Sequence, residues 1–505
     1  MDRLISNKKL PPEVEKGNIE YKLKVNAKSK ARQGSLQSQM RWRIAEGEAI
    51  NGIPEAIYYV GIDDNGCLGN QTITELKSSI EEIKNIADEI GAKIDSKIIK
   101  KIDSSFVAEI KVRRFIEAEQ KDEIKVCFIG SSGVGKTSIF ANICYNIEDN
   151  DGIGRKSVLR YAHEKEDGIT SSIINEILGI NNEEVLNYTD FSDSEWENIY
   201  KNSDKIINIV DIPGDHKYYK TGFYGFLSQK PDYCVFVFSA DIVYDDSFYK
   251  PYFQLVQELG LKIAVIFNKS DLNIQKHKQK ILSEIKKYFK EFELFDVSCV
   301  NSLGINEFKK WFINLNKNIV PINIGDRFLV TDILKSSDVG QIITGVMIDG
   351  KIKIGDTYMV GPLRPDSTII SSKVISIHKK LIPSTELVKG ENGSIVLSLD
   401  LKNSKGLDKQ CQVLSDEYCD YFTDTIELET NDILCYNMLV DSHYSLFLDN
   451  FVESVVIKKI SIKNREENIF NIQVKFIKKE CQKCVIKSTC GILRNSALIL
   501  IVKTI

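Results

Sequence analysis

The sequence predicts a multidomain protein: a small α+β N-terminal domain, an α/β domain built on a phosphate-binding loop, and two all-β barrels. Three observations carry this expectation. Over the first part of the chain, a strand, a helix, a hairpin signal and a second helix follow one another without strict alternation. From Ile124 to about Asn316, short apolar strands alternate with amphipathic helices. After Pro321 the helical period vanishes, and short alternating strands are separated by Gly and Asp turns. The expected boundaries are a tail over 1–9, the α+β domain over 10–120, the α/β P-loop domain over 121–320, and barrels over 321–415 and 416–505.

The 505 residues suit roughly three or four domains. Apolar residues are 43% of the chain, enough to build cores, so a largely disordered protein is excluded. A net charge of −4 excludes a bulk polycation that grips nucleic acid by charge alone, although a local basic face stays open. The longest apolar stretches, 233–240 and 497–502, fall short of the roughly 20 residues that span a bilayer. The N-terminal MDRLISNKKLPPE lacks the apolar run of a signal peptide. Eleven scattered cysteines read as reduced thiols. A soluble, cytoplasmic, monomeric protein without membrane partners is expected.

Element by element, residues 1–9 show no periodicity. Residues 19–25 alternate as a half-exposed strand. Leu36, Met40 and Ile44 stripe one face of a helix expected to end at Gly47. The β-rich run 56–62 is closed by Asp63-Asp64-Asn65-Gly66, a hairpin signal. A second helix over about 75–90 aligns Leu76, Ile80, Ile83 and Ile86. Lys28, Lys30, Arg32, Arg41 and Arg43 read as solvated surface ahead of an RNA-contacting face, with Trp42 read as core. The α/β strands are expected at 125–129, 205–211, 233–239, 262–268 and 292–297. Their continuous apolar runs imply burial on both faces of a mostly parallel sheet.

Gly130-Ser131-Ser132-Gly133-Val134-Gly135-Lys136-Thr137 fits G-x-x-x-x-G-K-[ST], after a strand and before a helix opening at Ser138. The glycines let successive amides turn toward phosphate oxygens. Lys136 places a charge on the β/γ-phosphates, and the Thr137 hydroxyl is a Mg²⁺ ligand. Asp211-Ile212-Pro213-Gly214 ends a second strand. Its carboxylate suits Mg²⁺, and the Gly214 amide suits a γ-phosphate. Asn268-Lys269-Ser270-Asp271 ends another strand. The Asp271 carboxylate accepts both N–H donors of guanine, whereas adenine would leave it unpaired. Ser298-Cys299 are placed to meet the base through a backbone amide. This order at strand carboxyl ends predicts a GTP/GDP and Mg²⁺ site. Between the loop and D-x-x-G lies 163–172, where a threonine closing on Mg²⁺ and γ-phosphate is expected. Thr170 is the candidate, with Ser171 and Ser172 not separable from it by composition.

The motifs LPPEVEKGNIEYKLKV, SQMRWRIAEG, IYYVGIDDNG, HEKEDGITSSIINEILG, VDIPGDHKYYKTGFYG, PDYCVFVFSA, NKSDL and VGQIITGVMIDGKIKIGDTYMVGP make the chain identifiable. It resembles translational GTPases of the elongation factor Tu type, and more narrowly the GTP-binding protein 1/2 family. The resemblance implies a family-specific front domain, a G domain and two β-barrels, the first of the elongation factor Tu type. It places Thr170 at the family's switch-one threonine. It also implies aminoacyl-tRNA or another RNA end as partner, with the ribosome as stimulator.

Two departures from the family pattern bear on catalysis. The slot after the D-x-x-G glycine, a water-positioning histidine in the family, is Asp215 here, and His216 follows one residue later. Asp215, His216 and Thr170 are therefore the catalytic candidates, and slow or partner-stimulated hydrolysis is expected. In the phosphate loop, Gly133-Val134 replaces an aspartate-bearing pair. Cys481-Gln482-Lys483-Cys484, with Cys490 nearby, lacks a second ligand pair at finger spacing, so zinc is discounted. The expectation is a GTP-dependent switch acting on tRNA, the ribosome or RNA turnover. The alternative is a GTP-loaded binding scaffold with negligible hydrolysis. An ATP-using metabolic enzyme is disfavoured by Asn268 and Asp271.

Overall fold

A computed structural model describes residues 9–505 except 15, 27–29, 52–53, 115–119, 191–195, 273–276, 318–324, 337–339, 400, 465–466, 478–482, 485–488 and 496–497. The chain divides into two units, Met1–Glu117 and Ala118–Ile505.

In the first unit, the alternation after Asn18 yields β1 (Ile19–Lys22), which ends before Val25. Helix α1 (Lys30–Asn51), strand β2 (Glu55–Val60) and helix α2 (Ile73–Glu89) follow. A hairpin of β3 (Ala92–Ile102) and β4 (Ser105–Arg114) completes the unit. The sheet order is β1-β2-β4-β3, with β1 parallel to β2 and the other pairs antiparallel. Met40 and Ile44 of α1 and Leu76, Ile80, Ile83 and Ile86 of α2 bury against Ala56, Tyr58, Val60 and Ile110. Thr72 and Glu75 form a reciprocal capping box that starts α2.

Several expectations are corrected here. Helix α1 does not stop at Gly47 but runs through it to Asn51. A single glycine weakens a helix by roughly 1 kcal/mol, which does not suffice to end one packed by its neighbours. The Asn65-Gly66 turn closes one isolated bridge, Ile62–Leu68, and joins no strand pair. The hairpin lies at β3–β4, turning at Asp103 with φ of 54°. It went unseen because β3 is an edge strand whose lysines break the apolar alternation. Arg43 is no part of a basic face: it is buried against Glu20 at 2.6 Å and Glu13 at 2.5 Å. Trp42 is not core but 43% exposed, with the Arg43 guanidinium 4.9 Å from its ring centre. Lys9 is not loose tail, since it bridges Cys67. Residues 1–8 and Lys28 lie outside the described residues.

The second unit begins with β5 (Asp122–Ile129). It continues through α3 (Lys136–Tyr145), α4 (Ala162–Asp167), β6 (Ile174–Asn181), β7 (Glu184–Leu186) and β8 (Lys205–Asp211). Then come α5 (Tyr219–Gln229), β9 (Tyr233–Ser239), α6 (Asp246–Glu258) and β10 (Lys262–Asn268). Helix α7 (Lys278–Ile285), strand β11 (Glu293–Asp296) and helix α8 (Ile305–Ile313) end the α/β part. The strand order is β11-β10-β9-β5-β8-β6-β7. The first five are parallel, as their apolar runs demanded, while β6 and β7 add an antiparallel edge that periodicity did not reveal. One face packs Phe140 of α3 with Phe308 and Phe312 of α8. The other packs Phe223 and Phe226 of α5 with Phe248, Tyr252 and Phe253 of α6 and Ile285 of α7.

The first barrel winds between Arg327 and Leu414, and pairing of Thr357–Leu363 with Thr368–Lys379 joins its sheet into a ring. The second is a closed six-stranded barrel between Thr425 and Thr504. Helix α5 ends at Lys230, which pairs with Asp449 of the second barrel at 2.5 Å. The same carboxylate binds Arg327 of the first barrel at 2.5 Å, so one buried acid ties three parts together. Glu123 at the start of β5 is buried against Lys380 of the first barrel at 3.1 Å.

Candidate nucleotide-binding site

The loop after β5 curls because Gly133 and Gly135 take φ of 80° and 91°, a region that strains other residues. At Gly135 a Cβ would fall on Asn268 Nδ2, and that amide donates to Val134 O at 3.0 Å. The NKSD strand end thereby braces the loop. Ser131 N donates to the Tyr249 hydroxyl at 3.0 Å, and the hydroxyl donates to Val237 O at 2.7 Å. Lys136 folds back so that Nζ donates to Gly130 O at 2.7 Å. Burial lowers the Lys136 pKa, against the pull of Asp211. At Gly214 a Cβ would meet Gly130 O and Lys136 Nζ, so the D-x-x-G turn lies directly on the phosphate loop. Ser132 and Gly133 are exposed at the loop's crest, and Val134 is buried beneath it. Ser138, one turn into α3, donates to Asp149.

Three oxygens converge below the loop. Thr137 Oγ1 donates to Asp211 Oδ2 at 2.7 Å and lies 2.8 Å from Thr170 Oγ1. All three residues are buried, and Asp211 Oδ1 has no hydrogen-bond partner. Burial pushes the Asp211 carboxyl above its ordinary value, opposed by Lys136 and by the Thr137 hydroxyl. A buried carboxylate with one oxygen unsatisfied beside two hydroxyls is a donor set for a hard divalent cation. These residues fit Mg²⁺.

The structure also separates Thr170 from its neighbours, which composition did not. Ser171 and Ser172 turn the other way, each bringing its amide and hydroxyl within 2.7–2.9 Å of Glu164 Oε1. Glu164 was not singled out from the sequence. A lone acid in a charged stretch gives no signal of burial, although S/T at the far end of the loop was the available hint.

At the base end, Lys269 takes φ of 59° and its Nζ reaches Asp241 at 2.9 Å. Asp271 sits exposed on a single helical turn, Ser270–Leu272. One expectation is corrected: Ser298 N donates to Leu303 O at 2.9 Å, so its amide is taken up by the chain. Cys299 lies beside the NKSD end, with Sγ 3.6 Å from Asn268 Oδ1 and its carbonyl accepting from Asp149 N at 3.0 Å.

The catalytic candidates are not brought together. Asp215 caps the turn His216–Tyr218, accepting from Lys217 N at 2.8 Å. His216 is half exposed, and its Nε2 lies 2.6 Å from Asp245. Both are engaged away from Thr170, which faces Thr137. Cys481 and Gln482 lie outside the described residues, and no cluster of three His, Cys, Asp or Glu metal ligands occurs among the described residues.

A glycine-bent phosphate loop, a Thr–Thr–Asp oxygen cluster and an Asn-Lys-Ser-Asp strand end on one parallel sheet define a guanine-nucleotide-binding GTPase. Comparison with known proteins narrows the class. Residues 121–340 match the elongation factor Tu GTP binding domain family. GTP-binding protein 2 of Mus musculus is 27% identical over 436 residues, covering 77% of this chain and 70% of that protein. GTP-binding protein 1 of Xenopus laevis is 27% identical over 405 residues, covering 72% of this chain and 60% of its own length. Among solved structures, bacterial selenocysteine-specific elongation factor EF-Sec aligns with a TM-score of 0.57 at 18% identity, over 76% of this chain and 58% of that one. Residues 121–340 thus resemble an elongation factor Tu GTP binding domain, and the chain as a whole is similar to GTP-binding proteins 1 and 2.

Proposed function

We propose that the protein is a GTP- and Mg²⁺-dependent switch that hydrolyses GTP slowly or on stimulation by a partner. The observation that carries this reading is the convergence of Thr137, Thr170 and Asp211 on one buried point. Lys136 and the loop amides bind the phosphates, Thr137, Thr170 and Asp211 hold the cation, and Asp271 selects guanine. A Mg²⁺ held by these three residues would neutralise phosphate charge. Thr170 senses the γ-phosphate, and its release loosens residues 163–172 and 211–220.

Helix α5, which follows the D-x-x-G turn, transmits that change, because it ends on the Lys230–Asp449 pair with the second barrel. By the kinship with elongation factors, the client is aminoacyl-tRNA or another RNA end, the ribosome is the stimulator, and the setting is cytoplasmic. The second reading, a GTP-loaded scaffold with negligible turnover, draws on one observation, the engagement of His216 with Asp245.

Binding of GDP and of a non-hydrolysable GTP analogue, each with and without charged tRNA, tests the switch. Tighter tRNA binding in the GTP-analogue state is expected, and equal binding in both states would remove the switch. Single-turnover hydrolysis with and without ribosomes separates the two readings.

A further inference from the structure

The buried groups outside the nucleotide contacts include one carboxylate whose surroundings assign it a task. Glu164 lies on α4, a single short helix whose other side chains are exposed or half-buried, yet its own side chain is fully buried. Oε2 accepts from Arg160 N and Tyr161 N, both at 3.2 Å. Oε1 faces the amides of Ser171 and Ser172 at 2.8 and 2.9 Å and their hydroxyls at 2.7 and 2.9 Å. One carboxylate thus joins the chain before α4 to the chain after it. A second tie runs alongside, with His163 Nε2 2.9 Å from Ser171 Oγ.

Thr170 is one peptide bond upstream of Ser171. Fixing the amides of residues 171 and 172 fixes the direction in which Thr170 leaves them. Thr170 Oγ1 is then held 2.8 Å from Thr137 Oγ1. The hydrogen bonds favour the ionised acid: although desolvation opposes it, the donors of Ser171 and Ser172 draw the Glu164 pKa down to about 2. A charged acceptor with this many donors is a strong and directional clamp.

We infer that Glu164 is a positioning residue for γ-phosphate recognition, its buried carboxylate clamping residues 171 and 172 so that Thr170 is presented to the cation and the γ-phosphate. The inference rests on the GTP-switch reading above and names the residue that sets its ordered state. It predicts selectivity between nucleotides, because GDP lacks the γ-phosphate that the clamped Thr170 recognises. A purely structural role for Glu164 would weaken both nucleotides alike.

The test measures affinity of the full chain for fluorescent GDP and a fluorescent non-hydrolysable GTP analogue, with and without Mg²⁺, in wild type, Glu164→Ala and Glu164→Gln. Tryptic cleavage at Arg155, Lys156, Arg160 and Lys165 supplies a second readout. In Glu164→Ala, GTP-analogue affinity is expected to fall roughly ten- to a hundredfold, the scale of hydrogen bonds to a buried charge. GDP affinity should stay within about twofold, and GTP-analogue protection of the tryptic sites should be lost. Glu164→Gln should fall between, since its amide nitrogen cannot accept from the backbone. Should Glu164→Ala not fold, the double variant S171A/S172A keeps the carboxylate buried and removes two donors. It is expected to weaken the GTP analogue alone. Equal losses for both nucleotides, or none, in a wild type that binds guanine nucleotide would overturn the clamp while leaving the switch. A wild type that binds neither nucleotide would overturn both.

Discussion

His216 Nε2 lies 2.6 Å from the Asp245 carboxylate, and its ring stands edge-on to Tyr219 and Phe248. The histidine next to the D-x-x-G turn is thus docked on the start of α6, while Asp215, in the slot directly after Gly214, is turned back to cap its own turn. Register decides this: one residue along a turn swings a side chain to another side.

Asp215→His restores a histidine to that slot without touching His216. Single-turnover GTP hydrolysis is expected to rise, on the order of 10²-fold if the new imidazole positions water as a general base does. An unchanged rate would show that register is not what limits hydrolysis.

Asp271→Asn exchanges an acceptor for a group that also donates. Guanine then loses a partner for its two N–H donors, while xanthine, with a carbonyl at that position, gains one. GTP affinity is expected to fall by about 10²-fold or more and xanthosine triphosphate to become the preferred nucleotide, read by competition against a fluorescent analogue. Retained guanine preference would move the specificity elsewhere.

Asp449 is buried between Lys230 at the end of α5 and Arg327 of the first barrel. Both cations hold its pKa well below the carboxylate range despite desolvation. Asp449→Ala takes the countercharge away from the buried Arg327, and a loss of about 3–5 kcal/mol is expected, visible as a lower melting temperature. A neutral outcome would mean that this three-way junction opens to water in solution.

Glu164 gives a pH signature with a fixed sign. Its folded-state pKa is lowered from 4.5 to about 2, so the unfolded chain takes up the proton first as pH falls. Its stabilisation is complete above about pH 4.5 and drains away toward about pH 2. In urea titrations, the gap between wild type and Glu164→Gln should be flat above about pH 5 and narrow below it. A gap that stays constant down to about pH 2.5 would show that the carboxylate is not held as charged.

Much of this was legible in one dimension. The strands 205–211, 233–239 and 262–268 lie where the sequence places them, because burial on both faces leaves a nearly continuous apolar run, with Asn208 the buried polar exception held by Glu123 at 2.9 Å. The phosphate loop, the D-x-x-G turn and the NKSD end were legible for a related reason, since a backbone curled around phosphate tolerates few residue types. The edge strand β3 was not, because its alternation is diluted by lysine, and β6 and β7 were not, because their short runs mix apolar and polar residues without a clear period. The discrepancy at Trp42 and Arg43 has the same root: which of two adjacent helical residues is buried depends on what packs there, and Glu13 and Glu20 favour the arginine.

The amino-acid order alone determined that a guanine nucleotide and a hard cation are the ligands to expect, because donor types and glycine spacing are written locally. Only the folded chain decided which of Thr170, Ser171 and Ser172 turns toward Thr137, and that His216 turns toward Asp245. Those choices are made by partners on distant segments, Glu164 for the serines and Asp245 for the histidine, and a side chain's direction is set by the partner that best satisfies it once water is gone.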